Sequence, residues 1–141
     1  MKNVIMQHYT GDLDDKEMER ESINNMKAYA YKFGAHHILL RGQVFDKNLT
    51  FPLQKLEMLD EKYDEYDNIV MVDIDMFAVK GLEENVFDAP GNGLHCPVQE
   101  MLHRRLVKIY PDSAKYPYWG GAIYKFNRNE RIILRENLKN R

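Results

Sequence analysis

Ile69-Val70-Met71-Val72-Asp73-Ile74-Asp75 is the stretch on which the fold turns. Four apolar residues in a row predict a β-strand buried on both faces, the kind found inside a parallel sheet. Two carboxylates follow, one residue apart, where such a strand leaves its sheet. Alternation along an extended chain points Asp73 and Asp75 to the same side. Two carboxylates at the carboxyl edge of a parallel sheet suit a hard divalent cation, Mn2+ or Mg2+, which keeps several waters and completes its shell from phosphate oxygens. This reading centres on a metal-bound diphosphate. The plainer alternative is a strand that ends in a solvated acidic turn.

Upstream, Tyr66-Asp67-Asn68 reads as the turn into this strand. Thr50 suits an N-cap and Pro52 is tolerated in a first helical turn. Leu53, Leu56, Leu59 and Tyr63 then predict one apolar face of a helix. Nearer the N-terminus, Val4-Ile5-Met6 predicts a first strand and Gln7 to Asp12 an exposed loop. Ile23, Met26, Ala30 and Phe33 recur at helical spacing over residues 15–33, and Gly34 stands where a C-cap glycine belongs. His37 to Leu40 predicts a second strand, closed by Arg41-Gly42. Strand, helix, strand, helix, strand is the order of a single-domain α/β fold, an open and mostly parallel sheet flanked by helices. Ligands of such sheets bind outside the carboxyl ends of the strands. The loop Gln7-His8-Tyr9-Thr10, Arg41, and Asp73-Ile74-Asp75 are all expected on that edge.

Downstream, Met76 to Val79 predicts a short strand leading to a turn at Lys80-Gly81. Ala89 to Gly93 reads as loop, Glu100 to Lys108 as a short helix, and Pro111 to Pro117 as irregular. Trp119 to Phe126 predicts a strand that opens on Gly120-Gly121. From Asn127 onward a basic helix is expected, anchored by Ile132, Ile133 and Leu138.

Composition narrows the function classes. A chain of 141 residues fits one domain. Its 44% hydrophobic and 30% charged residues are those of a globular protein rather than a disordered one. A net charge of −2 without a basic run argues against nucleic acid as partner. No apolar run approaches the roughly 20 residues of a membrane span. The N-terminus lacks the pattern of a signal peptide. The single Cys96 excludes an internal disulfide, and a reducing, cytoplasmic setting is expected.

Three segments together carry a family resemblance. Lys55-Leu56, the run Tyr66 to Asp75, and the run Phe77 to Asp88 resemble the core of nucleotide-sugar glycosyltransferases of the A-type fold. They are most similar to the glycogenin-like retaining enzymes, in which a lysine-leucine helix precedes the metal-binding Asp-x-Asp strand. Val86-Phe87-Asp88 stands where that family has a "Leu-Phe-Glu"-like ending. Trp119 to Phe126 resembles a later "Asn-Ser-Gly-Val" strand, with the asparagine and serine replaced. The family's Asp-Gln segment near the sugar and its C-terminal metal-binding histidine have no counterpart here, so the resemblance is to a minimal or truncated form. His95 and His103 are candidates for the missing ligand.

The resemblance implies a metal-dependent transfer of a hexose from a nucleotide-sugar, a uridine diphosphate sugar first, to an unknown glycan, protein or small-molecule acceptor, with retention of configuration. Asp75 would bind the metal. Asp73 would share it or hold the ribose hydroxyls. Lys55 would reach the phosphates or the sugar. Gln7, His8, Tyr9 and Thr10 would hold base and ribose, with Tyr9 stacking on the base, and Arg41 would pair with the base edge or a phosphate. Trp119, Gly120 and Gly121 are candidates for a sugar platform, since an aromatic ring packs on apolar sugar faces and glycine allows close approach. A second copy of the chain could supply missing acceptor surface. Rival readings are a nucleotide-sugar hydrolase, a nucleotidyltransferase, and a non-catalytic domain of the receiver type. The nucleotidyltransferase reading lacks a glycine-rich basic loop after the first strand. A receiver would carry its acidic pair where Gln7-His8 stands.

Overall fold

The computed structural model describes residues 1–89, 100–112 and 122–140. A four-stranded sheet is built from β1 (Asn3–Tyr9), β2 (His36–Arg41), β3 (Asn68–Val72) and β4 (Ile123–Asn127), in the order β2-β1-β3-β4. β1 runs parallel to both neighbours, with Gln7 opposite Leu39 on one side and Val72 on the other. β4 is antiparallel to β3, with Ile123 opposite Val72. The open, mostly parallel sheet expected from the alternation of elements is therefore present. The carboxyl ends of β1, β2 and β3 share one edge with the start of β4.

Alternation sorts the core into two layers. Val4, Met6, Ile69 and Met71 pack with Met58, Leu59 and Tyr66 on one face. Ile5, Val70 and Val72 pack with Met26, Ala30 and Phe87 on the other. Helix α1 (Glu17–Lys32) covers the second face. A 3-10 helix over Phe51–Leu59 and α3 (Arg128–Lys139) cover the first. α1 buries Ser22, Met26 and Ala30, four residues apart each time, and ends where Gly34 takes a positive φ of 66°. α2 spans Glu100–Ile109, close to its expected range.

Four expectations are corrected. β1 continues to Tyr9, so Gln7 and His8 lie in a buried strand and not in an exposed loop. Residues 51–59 form a 3-10 helix rather than an α-helix, and its buried residues are Gln54, Glu57, Met58 and Leu59, while Leu53 is exposed. Met76 to Val79 is not a strand. Its would-be sheet bonds go to α1: Asn25 donates to the Ala78 carbonyl (3.1 Å) and accepts from the Ala78 N–H (2.7 Å). In α3, Ile132, Ile133 and Leu138 are exposed and Arg131 is the buried residue. A capping box, Asn127 with Glu130, sets the phase of that helix. The strand expected from Trp119 is described only from Ile123; Trp119, Gly120, Gly121, His95 and Cys96 lie outside the described residues, as does the side chain of His103.

Candidate active site

Among the described residues, the last bond of the β3 ladder is the Asp73 N–H donating to the Ala122 carbonyl (2.9 Å). The chain then turns, and the Met76 N–H closes back on the Asp73 carbonyl (3.2 Å). Asp73 and Asp75 are thus presented by a four-residue turn beyond the strand, not by continued alternation within it. Odd-numbered β3 side chains face the layer of Phe51–Leu59, and Asp73 keeps that parity. Its Oδ1 accepts from Lys55 Nζ, with the two side chains 33% and 15% exposed. The Lys55 ammonium also lies 5.8 Å from the Tyr124 ring centre. Asp75 is exposed at the tip of the turn.

Both aspartates border one cleft of about 440 Å³ at the carboxyl edge of the sheet. Its other walls are His8, Tyr9 and Thr10 from the end of β1, Phe51, Pro52 and Lys55 from the 3-10 helix, Ile74 from the turn, and Ala122 and Tyr124 at β4. That volume is within the ordinary range of ligand sites. His8 is turned by its Nε2–H, which donates to the Gly42 carbonyl (2.7 Å). Tyr9 is half-buried, and Gly11 lies so close beneath its hydroxyl that a Cβ there would stand 2.8 Å from the oxygen. A larger cleft of about 580 Å³ lies on the α1 side, but its walls are chiefly apolar, among them Ile5, Val70, Val72 and Phe77. Size does not select the site here; chemistry does.

Two of the sequence-predicted site residues stand apart from the cleft. Gln7 is fully buried, so the expectation that it touches base or ribose is corrected. Its amide bonds Ser22, His37 and the Asp73 carbonyl instead. Arg41 is exposed and donates to the Gly11 carbonyl (3.0 Å), with its guanidinium 6.0 Å from the Tyr9 ring centre. It holds the loop and ring of Tyr9 rather than bordering the cleft. Phe51, Pro52, Ala122 and Tyr124 are cleft residues that the sequence did not mark as such. Nothing but their place in the fold gathers them.

Among the described residues, no group of three or more His, Cys, Asp or Glu side chains is arranged to hold a metal ion. The donor set that does border the cleft, two carboxylates and no sulfur, fits a cation that takes its remaining ligands from water and a diphosphate. Asp73 and Asp75 would hold that cation.

No protein-family model matches the chain, and no curated protein sequence matches it. Solved structures do. A glycosyltransferase involved in glycosylation of the major capsid of PBCV-1 superposes with a TM-score of 0.59 at 9% identity, over 96% of this chain and 65% of that one. A mutant of Drosophila β-1,4-galactosyltransferase 7, in complex with manganese, UDP-Gal and xylobiose, superposes with a TM-score of 0.50 at 20% identity, over 92% of this chain and 50% of that one. The chain therefore spans about two thirds of the length of the first and half of the second. At such identities the likeness speaks for architecture: this chain has the α/β fold of these glycosyltransferases.

Proposed function

We propose that the chain is a metal-dependent glycosyltransferase that takes a nucleotide-sugar, a uridine diphosphate sugar first, and transfers its hexose to an acceptor. The observation that carries this is the convergence of Asp73, Asp75, Lys55 and the β1 end on one cleft of a glycosyltransferase fold. The neighbour bound to manganese and UDP-Gal supports the choice of ion and donor. The resemblance of Lys55-Leu56 and the Asp-x-Asp stretch to the glycogenin-like enzymes supports retention.

The chemistry asks the protein mainly to neutralise and orient. A nucleoside diphosphate leaves poorly unless its growing negative charge is met. A dication held by Asp73 and Asp75 would supply Lewis-acid charge to meet it. Lys55 stands beside Asp73, so its ammonium is within the same wall and adds positive charge at the leaving group. Tyr9 offers a ring at the cleft wall for the base, and His8 and Thr10 offer polar atoms for the ribose. Phe51, Pro52 and Tyr124 form another wall of the cleft.

Isothermal titration with uridine diphosphate, with and without Mn2+, tests this. Affinity is expected only with the ion, and Asp75→Asn should weaken it about tenfold or more. Affinity that ignores the ion, or survives in Asp75→Asn, would overturn the reading. Anomeric NMR of the sugar product, given an acceptor, distinguishes retention from inversion and transfer from hydrolysis.

A further inference from the structure

Gln7 lies wholly inside the α1 face of the sheet, where an amide without partners would be strongly unfavourable. Its bonding is fixed by groups that can only accept. The carbonyls of Asp73 and Met76 have no proton to give. Gln7 Nε2 therefore donates to the Asp73 carbonyl (3.3 Å), and the Ser22 hydroxyl donates to the Met76 carbonyl (2.6 Å). The Ser22 oxygen is left to accept the second Nε2 proton of Gln7 (3.0 Å). Gln7 Oε1 faces His37 Nε2 (3.0 Å), which must then carry the ring proton.

Asp73 and Met76 are the first and last residues of the turn that presents Asp75. Among the described residues the sheet ladder reaches the Asp73 N–H and goes no further along the turn. One connected chain of hydrogen bonds, His37 to Gln7 to Ser22, reaches both of its ends. Gln7 and Ser22 do not border the cleft. Two carboxylates that share a cation must keep their spacing to within about 0.5 Å.

We propose that Gln7 and Ser22 are positioning residues that set the Asp73–Asp75 turn for the metal diphosphate. This rests on the function proposed above. Gln7→Glu keeps shape but replaces the two donated protons by a carboxylate oxygen facing the Asp73 carbonyl. Ser22→Ala is the milder variant, removing the tie to Met76 with little change in bulk. In both, uridine diphosphate affinity with Mn2+ is expected to fall about tenfold or more, as for losses of outer partners of metal ligands. Amide hydrogen exchange at Asp73 and Met76, the turn amides that donate to the Ala122 and Asp73 carbonyls, should quicken in step. Arg135→Gln, a destabilising change in α3 at the side chain that binds Asp64 and the Leu59 carbonyl, should leave both readouts as in the parent.

Parental affinity in both Gln7→Glu and Ser22→Ala would overturn the proposal. Equal losses in Arg135→Gln would too, since they would make the effect one of stability alone. If the parent binds no nucleotide, the functional reading fails by itself. The exchange measurement then decides the positioning claim, which unchanged rates at Asp73 and Met76 would overturn.

Discussion

Lys55 and Asp73 meet as a pair in which one side chain is well covered and the other a third exposed. A charge-assisted bond of this kind contributes about 1.5–3 kcal/mol. The ammonium also sits on an oxygen that a dication would want. Two effects of opposite sign follow. Lys55→Met keeps the stem against Tyr124 but removes the competitor, so Mn2+ alone should bind about tenfold more tightly, ~1.4 kcal/mol. The same variant lacks the cation that meets the phosphates, so uridine diphosphate with Mn2+ should bind more weakly than in the parent. Electron paramagnetic resonance of free Mn2+ gives the first quantity and calorimetry the second. A fall in both would show that Lys55 only props the cleft wall.

The element that carries Lys55 is held by residues whose polarity hides their burial. Gln54 is fully buried in the 3-10 helix and accepts from the Phe45 N–H (2.9 Å) while donating to the Asp46 and Leu49 carbonyls (2.6 and 3.2 Å). It closes the loop after β2 onto the cleft wall. Gln54→Leu conserves volume but strands those backbone groups, at a cost of about 1–3 kcal/mol. A lower urea midpoint with unchanged m is the expected result. The same hidden polarity explains what could be read from the sequence. β1, β2 and β3 were legible because apolar runs have few other places to go, and Gly34 because a helix end wants a positive φ. Leucines at 53, 56 and 59 are three apart, which fits three residues per turn as well as it fits one α-helical face, so the 3-10 form was not separable. Gln7 read as loop because glutamine seldom enters a strand core; its partners, Ser22, His37 and Asp73, are distant in sequence. Of the site, Asp73, Asp75 and Lys55 announced themselves as charges beside apolar runs. Phe51, Tyr124 and Ala122 had no such signal: Phe51 reaches the cleft as the first residue of the 3-10 helix, and Ala122 and Tyr124 through the antiparallel return of β4.

Across the whole molecule, the strand order separates two polar clusters to opposite ends of β3. The cleft stands at the carboxyl end; at the amino end, arginines of α3 grip the segment that leads into β3. Arg131 is fully buried and donates to the carbonyls of Phe126, Tyr63 and Tyr66, while burial pulls its pKa down to about 10. Arg135 binds both carboxylate oxygens of Asp64 (3.1 and 2.7 Å) and the Leu59 carbonyl (2.8 Å). The hydrogen bond from Arg135 holds the Asp64 carboxyl below its ordinary 3.8, against a smaller opposing effect of burial. A carboxyl depressed in the folded state binds fewer protons there than in the unfolded chain. Its contribution is therefore fully present above the ordinary aspartate pKa and is lost as pH falls through the folded value. Arg135→Gln should remove that part of the acid sensitivity, so the variant is less stable than the parent near neutrality and approaches it in acid. Urea midpoints measured at both conditions check this. A constant difference at every pH would mean that the ionisation of Asp64 contributes nothing, and that Arg135 acts through its bond to Leu59 alone.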